Sequence, residues 1–233
     1  RHSLRTRFYR TKNTNDTQQE STADLYYWEY QYQKHFENNL TWTSGTAGTY
    51  SEIHSDSLYG THYSSNVGIF TQFDKKCKKF VFSLGARAEY FKVDTAQTKF
   101  NIPLGKDTLQ SPLYPVFRTG VNYHLFEYTH LRASFGQGYR FPSIAEKYIK
   151  TSVNGLTVLP NPEVQPETGW SAEFGIKQSL KINNWKGFVD VAAFWMEYKN
   201  MIEFNFDYYF PPGLTNPGFF DYITYFGAKS INV

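Results

Sequence analysis

One feature constrains this chain above all others. Apolar and polar residues alternate with a period of two, in runs of about ten positions, and helical periodicity is weak throughout. The clearest run spans Phe80 to Phe91. Phe82, Leu84, Ala86, Ala88 and Tyr90 fall on one face, with Ser83, Gly85, Arg87 and Glu89 on the other. Phe117, Thr119, Val121 and Tyr123 alternate in the same way with Arg118, Gly120 and Asn122. So do Leu131, Ala133 and Phe135 with Arg132, Ser134 and Gly136, and Trp170, Ala172, Phe174 and Ile176 with Ser171, Glu173, Gly175 and Lys177. Near the start, Tyr26, Trp28, Tyr30 and Tyr32 alternate with Glu29, Gln31 and Gln33. In 187–200 the facing is ambiguous, because Phe194 and Trp195 are both large. Successive side chains of a strand point to opposite faces, so each run reads as a strand with one apolar and one polar face. About ten strands are predicted, at 1–10, 24–34, 40–50, 64–74, 79–92, 114–124, 130–140, 170–180, 187–200 and 221–233.

A sheet half-buried in water and a barrel wall with one face in lipid both fit this pattern. Aromatics make up 19% of the chain, yet mean hydropathy is −0.55. No apolar run reaches the roughly 18 residues that a helical membrane span needs. Composition alone leaves a Tyr-rich secreted β-sandwich and a membrane barrel equally open. The connections separate them. Short turns are expected at His35–Asn39, Lys75–Lys78, Leu125–Thr129 and Lys181–Lys186, and long polar loops at about 11–23, 51–63, 93–113, 141–169 and 201–220. Strict alternation of short and long is unusual in compact soluble domains. Outer-membrane barrels have it, with tight periplasmic turns and long extracellular loops. Trp42, Tyr90, Phe91, Trp185 and Tyr198 then fit an interfacial aromatic girdle. The fold class expected is all-β: a section of an antiparallel transmembrane β-barrel.

Residues 130–175 carry a resemblance. The strand Leu131–Gly138 runs into Tyr139-Arg140-Phe141-Pro142, and Asn161-Pro162-Glu163-Val164-Gln165-Pro166-Glu167 then opens the strand at Trp170. These paired boxes resemble the C-terminal barrel signature of TonB-dependent receptors, and Phe80–Tyr90 resembles another strand of that family. The resemblance implies a barrel of about 22 strands with a plugged lumen. Its plug binds TonB, and its cargo is scarce: ferric siderophores, haem, cobalamin, glycans or peptides. Residues 1–233 would then be a partial barrel domain, with the plug and the closing strands outside this sequence. The opening at Arg1, without Met or an apolar leader, and the end at Val233 in mid-pattern agree with a fragment.

The residues also read physically. Pro142, Pro160, Pro162 and Pro166 cannot donate to a ladder and stop pairing where the chain leaves the wall. Gly136 and Gly138 sit on the inward face, where a missing side chain lets a bulky neighbour approach. Arg87, Glu89, Arg118, Arg132 and Glu173 share that face, so all seven are assigned to the lumen, facing the plug. Arg140 pairs with Glu167 across the loop or meets the plug or an anionic ligand, with loop architecture the favoured reading. Tyr208, Tyr209 and Phe210 belong to an aromatic loop, 204–220, that can contact ligand, pack the loops together or touch lipid. His54 and His62 share a loop and are expected to be solvent-exposed rather than metal ligands.

Function follows as binding and conduction rather than catalysis. No nucleophile–base pair, phosphate loop or Cys/His metal spacing occurs, so no catalytic residue, metal site or cofactor is expected. A net charge of +3 with no basic stripe argues against nucleic acid, and Lys75, Lys76, Lys78 and Lys79 form a solvated turn. Cys77 stands alone, so no intrachain disulfide forms. The partners expected are outer-membrane lipid and, through a plug, TonB. The expected location is the outer membrane of a Gram-negative bacterium. Ferric siderophores lead as cargo, because haem receptors of the family tend to carry a His between the boxes and 143–160 holds none. The alternatives are a passive porin and a glycan or peptide importer with a surface lipoprotein over its mouth.

Overall fold

In the computed structural model, residues 1–14, 20–93, 110–153, 156–210 and 213–233 are described. The first strands are β1 (His2–Thr14), β2 (Glu20–Phe36), β3 (Leu40–Ser55), β4 (Gly60–Cys77), β5 (Phe80–Val93), β6 (Gln110–Phe126) and β7 (Thr129–Arg140). A five-residue helix, α1 (Ile144–Tyr148), and two short strands, β8 (Thr151–Val153) and β9 (Leu156–Leu159), follow. Then come β10 (Glu167–Ile182), β11 (Trp185–Lys199), β12 (Ile202–Tyr208), α2 (Phe219–Thr224) and β13 (Phe226–Asn232).

Nine strands form one sheet in the order β1-β2-β3-β4-β5-β6-β7-β10-β11, each antiparallel to its neighbours. Three of its short turns close through a left-handed residue, Asn39, Lys78 or Asn183. The register keeps the expected faces together. Phe82, Leu84 and Ala86 lie opposite Val121, Thr119 and Phe117, and Ser83 and Gly85 lie opposite Gly120 and Arg118. The ambiguity in β11 is resolved as well: Phe194 pairs with Glu173 on the polar face, and Trp195 with Ala172 on the apolar face.

The apolar face is bare, with Ile69 63% exposed, Leu84 57% and Trp195 69%. Aromatics border it in two rows. One row holds Phe8, Tyr26, Tyr50 and Tyr63, with neighbouring centroids 5.0–6.3 Å apart. The other holds Tyr32, Trp42 and Phe73, with Trp42 and Phe73 stacked at 6.2 Å. Between Trp42 and Tyr50 runs about 26 Å of strand, near the roughly 25 Å apolar band of outer-membrane barrels.

Four expectations need correction. The predicted long loop at 51–63 is a short turn, because β3 runs to Ser55 and β4 starts at Gly60. Its polar residues are strand residues above the apolar band, where both faces can be wet. The predicted loop at 201–220 contains β12, and the predicted wall strand at 221–233 is α2 followed by β13. These two strands leave the wall altogether. They form a second sheet in the order β12-β13-β9-β8, in which β13 pairs antiparallel with β12 and parallel with β9. The wall therefore has nine strands, not ten. The predicted loop at 11–23 is likewise mostly strand, because β1 runs to Thr14 and β2 starts at Glu20; residues 15–19, and 94–109 of the predicted loop at 93–113, lie outside the described residues.

The only buried apolar cluster, among the described residues, sits at the loop end of the wall. Tyr59, Val93, Ile144 and Tyr148 form it, with Ile53, Leu58 and Phe91 packed around them. It fastens α1 over the ends of β3, β4 and β5.

Candidate functional site: the polar wall and the lobe above it

On the polar face, arginines lie over glycines. Arg118 pairs with Gly85, and a Cβ at Gly85 would stand 3.0 Å from both its Cγ and its Nε. Arg132 pairs with Gly175 in the same way, its Cζ 2.8 Å from such a Cβ. Arg87 reaches over Gly68, with Nη2 at 2.9 Å. Each seat is open because glycine lacks the one atom that would fill it.

Two of these arginines are neutralised. Arg132 donates to Glu173 at 2.8 Å and to Asp190 at 2.6 Å. Arg87 donates to Glu89 at 2.7 Å, and the Glu89 carboxylate also accepts from Asn66 and from the Tyr139 hydroxyl. Glu89 is only 7% exposed, so these donors replace the water it has lost. Tyr139 comes from two strands away. Counting from Leu131, it belongs on the apolar face. The β6–β7 ladder, however, ends at Arg118 opposite Gly136, and the Gln137 side chain takes the Phe117 N–H in its place. Above that point Tyr139 crosses the gap to Glu89. Sequence periodicity carries no signal for this, because it assumes an unbroken ladder.

The structure thus brings Arg87, Glu89, Arg118, Arg132 and Glu173 onto one face. Gly136 sees only the Arg118 Cβ at 3.9 Å, and Gly138 has nothing within 4 Å of a notional Cβ. Open space stands before both.

Arg140 serves architecture. Its Nε and Nη2 donate to the two oxygens of Glu167, each at 2.8 Å, and its Nη1 donates to Glu146 at 2.8 and 3.0 Å. Glu146 also caps α1, accepting from the Ser143 N–H at 2.7 Å. Glu167 Oε1 accepts from the Ile202 N–H at 2.6 Å. One guanidinium therefore ties the end of β7 to α1, β10 and the start of β12. The Asn-Pro box adds further ties. Asn161 donates to the Ser230 carbonyl at 2.8 Å, and the Gln165 N–H donates to Asn232 at 2.7 Å. Lys147 is buried and donates to the Pro162 and Val164 carbonyls at 2.8 and 2.7 Å. Desolvation pulls its pKa down to about 8.

His62 corrects a further expectation. It is not solvent-exposed: it is fully buried, stacked on Tyr148 at 4.0 Å with 2° between the planes. His54 is exposed as expected, bonded to Thr61 at 2.6 Å. Among the described residues, no group of three or more His, Cys, Asp or Glu is placed to hold a metal ion.

Tyr208, Tyr209 and Phe210 stand at the end of the β12–β13 hairpin. Tyr208 packs against Phe210, Tyr222 and Phe226, and Phe210 against Tyr222 and Tyr225. Tyr209 donates to the Asn205 carbonyl at 2.9 Å and lies under Lys229. The three pack the loop together, while Tyr208 keeps 45% of its surface exposed. Pro211 and Pro212 lie outside the described residues.

A nine-stranded antiparallel sheet, apolar and aromatic-bordered on one face and lined with ion pairs on the other, has the two faces of a transmembrane barrel wall. The TonB dependent receptor-like β-barrel family profile matches residues 1–231, so the chain belongs to that family. Proteins of this family are outer-membrane transporters of Gram-negative bacteria, not enzymes. Among solved structures, the chain is similar to the siderophore receptor PirA from Pseudomonas aeruginosa, at 14% identity and TM-score 0.75, covering 100% of this chain and 41% of that one. It is also similar to a double mutant of the Serratia marcescens hemophore receptor HasR in complex with its hemophore HasA and heme. There the identity is 16% and the TM-score 0.73, with 98% of this chain and 40% of that one covered. The copper transporter OprC matches at 14% identity and TM-score 0.65, over 100% and 37%. The chain thus spans about two fifths of the length of such structures. No curated protein sequence matches it.

Proposed function

We propose that this chain is part of the wall of an outer-membrane receptor that binds a scarce solute, a ferric siderophore in the first instance, and imports it with energy delivered through TonB. The observation that carries the reading is the two-faced wall of a TonB-dependent receptor-like barrel, whose polar face is lined with paired charges. That face fits a lumen filled by a plug, with Gly136 and Gly138 leaving room for close approach. The absence of His from 143–160 favours a siderophore over haem. The exposed ring of Tyr208 is offered as ligand contact, whereas Arg140 acts by holding the loops. The test is uptake of radiolabelled ferric siderophores by cells expressing the full receptor, with and without TonB. Siderophore uptake lost with TonB supports the proposal. Uptake indifferent to TonB, or free ion conduction by the intact receptor in planar bilayers, overturns it in favour of a porin.

A further inference from the structure

We propose that the wall carries a seam between β6 and β7. From Phe117 and Gln137 to the loop end, the two strands are joined through side chains rather than main-chain rungs, and they part there while the rest of the wall stays laddered. Both strands run on beyond their last shared pair, Arg118 with Gly136. β6 keeps its ladder to β5 as far as Gln110, and β7 keeps its ladder to β10 as far as Arg140. What stops is the ladder between them.

The sequence explains the stop. In an antiparallel pair, alternate residues turn both N–H and C=O to the same neighbour. Phe117 turns its N–H to β7, where the Gln137 side chain accepts it at 3.1 Å. Pro115, two residues away, belongs to the same edge and has no N–H to give. A continued register would set it opposite Tyr139, whose hydroxyl reaches Glu89 instead. Gly138 adds no side chain to fill the gap, and a concavity of about 200 Å³ opens beside it, lined by Tyr114, Pro115, Gln137 and Tyr139. Phe117 is 55% exposed on the apolar face. An unpaired N–H is costly in hydrocarbon, so the Gln137 amide stands in for the missing rung.

The contacts that close the seam are of a kind that slides. Tyr139 bonds to Glu89, Phe141 stacks on Phe91 at 4.3 Å, and Tyr114 lies 5.7 Å from the rings of both Tyr139 and Phe141. Stacked rings have no fixed register, unlike a ladder. Beyond them, the apolar cluster around Tyr148 and the bond from the Lys150 N–H to the Leu58 carbonyl, at 2.9 Å, reach the β3–β4 turn and serve as a pivot. On the β7 side, Arg140 holds Glu146 and Glu167 through four charge-assisted bonds. The end of β7 is thus tied to α1 and the lobe more firmly than to β6, and it shifts with them.

The seam belongs to the wall itself, so its test needs no transport and stands apart from the import reading. It is residue-resolved hydrogen exchange of the full receptor in detergent. The Phe117 amide is expected to exchange about tenfold or more faster than that of Thr119, which lies on the same edge within the ladder. Gln137→Ala should quicken Phe117 by about another tenfold, for the loss of its acceptor, and leave Thr119 unchanged. Pro115→Ala returns a donor to that edge and should slow Phe117, whereas a mere loss of packing would quicken it. Phe117 exchanging no faster than Thr119 overturns the proposal, whether both are slow, as in a continuous ladder, or both fast, as in a wall that frays throughout. Unchanged exchange at Phe117 in either variant overturns it too. If a variant fails to fold, the comparison of Phe117 with Thr119 in the unaltered receptor still decides.

Discussion

Arg140 and Glu167 meet through two parallel hydrogen bonds of 2.8 Å, directly opposite each other where β7 and β10 leave the wall. The first residue ends the Tyr-Arg-Phe-Pro strand and the second ends the Asn-Pro box. The two motifs are thus halves of one fastening, and Glu167 passes the hold on to Ile202.

Glu167→Ala should loosen that fastening. With the carboxylate gone, the Ile202 amide loses its acceptor and Arg140 keeps only Glu146. Hydrogen exchange at Ile202 is expected to quicken about tenfold or more, matching the loss of a charge-assisted bond. The wall strands should keep their protection. Unchanged exchange at Ile202 would count against the fastening.

The facing of β5 is open to a direct test. Leu84 points to lipid beside Thr119, so Leu84→Arg should cost about 2–4 kcal/mol if it stands near mid-bilayer. Arg118→Ala, on the other face and with no carboxylate to strand, should stay within about 0.5 kcal/mol. Urea midpoints of the full receptor in vesicles compare the two. Equal midpoints refute the assignment.

Gly45 sits where a side chain has no room. A Cβ there would overlap the Tyr30 carbonyl and the Phe70 ring. The carbonyl is backbone and cannot swing away, so Gly45→Ala should cost about 1–3 kcal/mol, seen as a lower urea midpoint. Gly138→Ala, with open space around it, should leave the midpoint in place.

Lys147 makes the loop around α1 sensitive to pH. Its folded pKa of about 8 lies below the value of 10.5 for a free lysine. Between those two values the unfolded loop binds more protons than the folded one, so stability rises as pH climbs from about 8 to about 10.5. Proteolytic cleavage within 141–166 should accordingly slow over that range. Lys147→Met should abolish the slope.

The wall was legible because lipid and water enforce a period of two on every strand that separates them. Facing, short turns and both boxes followed from that pattern and from proline chemistry. The lobe was not legible. Phe204, Phe206 and Tyr208 alternate with Glu203, Asn205 and Asp207 like any wall strand, and alternation identifies faces but not neighbours. Only pairing to β13, which in turn meets β9 far back in the chain, shows that β12 has left the wall. His62 escaped for the same reason, since its partner Tyr148 arrives from a distant loop. At 51–63 the polarity of the sequence suggests a loop, although a strand in water needs ladder bonds rather than apolar residues.

The glycines beneath Arg87, Arg118 and Arg132 bear on the size of the bore. An arginine standing upright on a strand would project its full length toward the axis. Laid along the wall over a neighbour with no side chain, it contributes charge at almost no cost in clearance. A lumen built this way can be strongly polar and still wide, so the room left for a plug or a passing solute is set by the small residues as much as by the large ones.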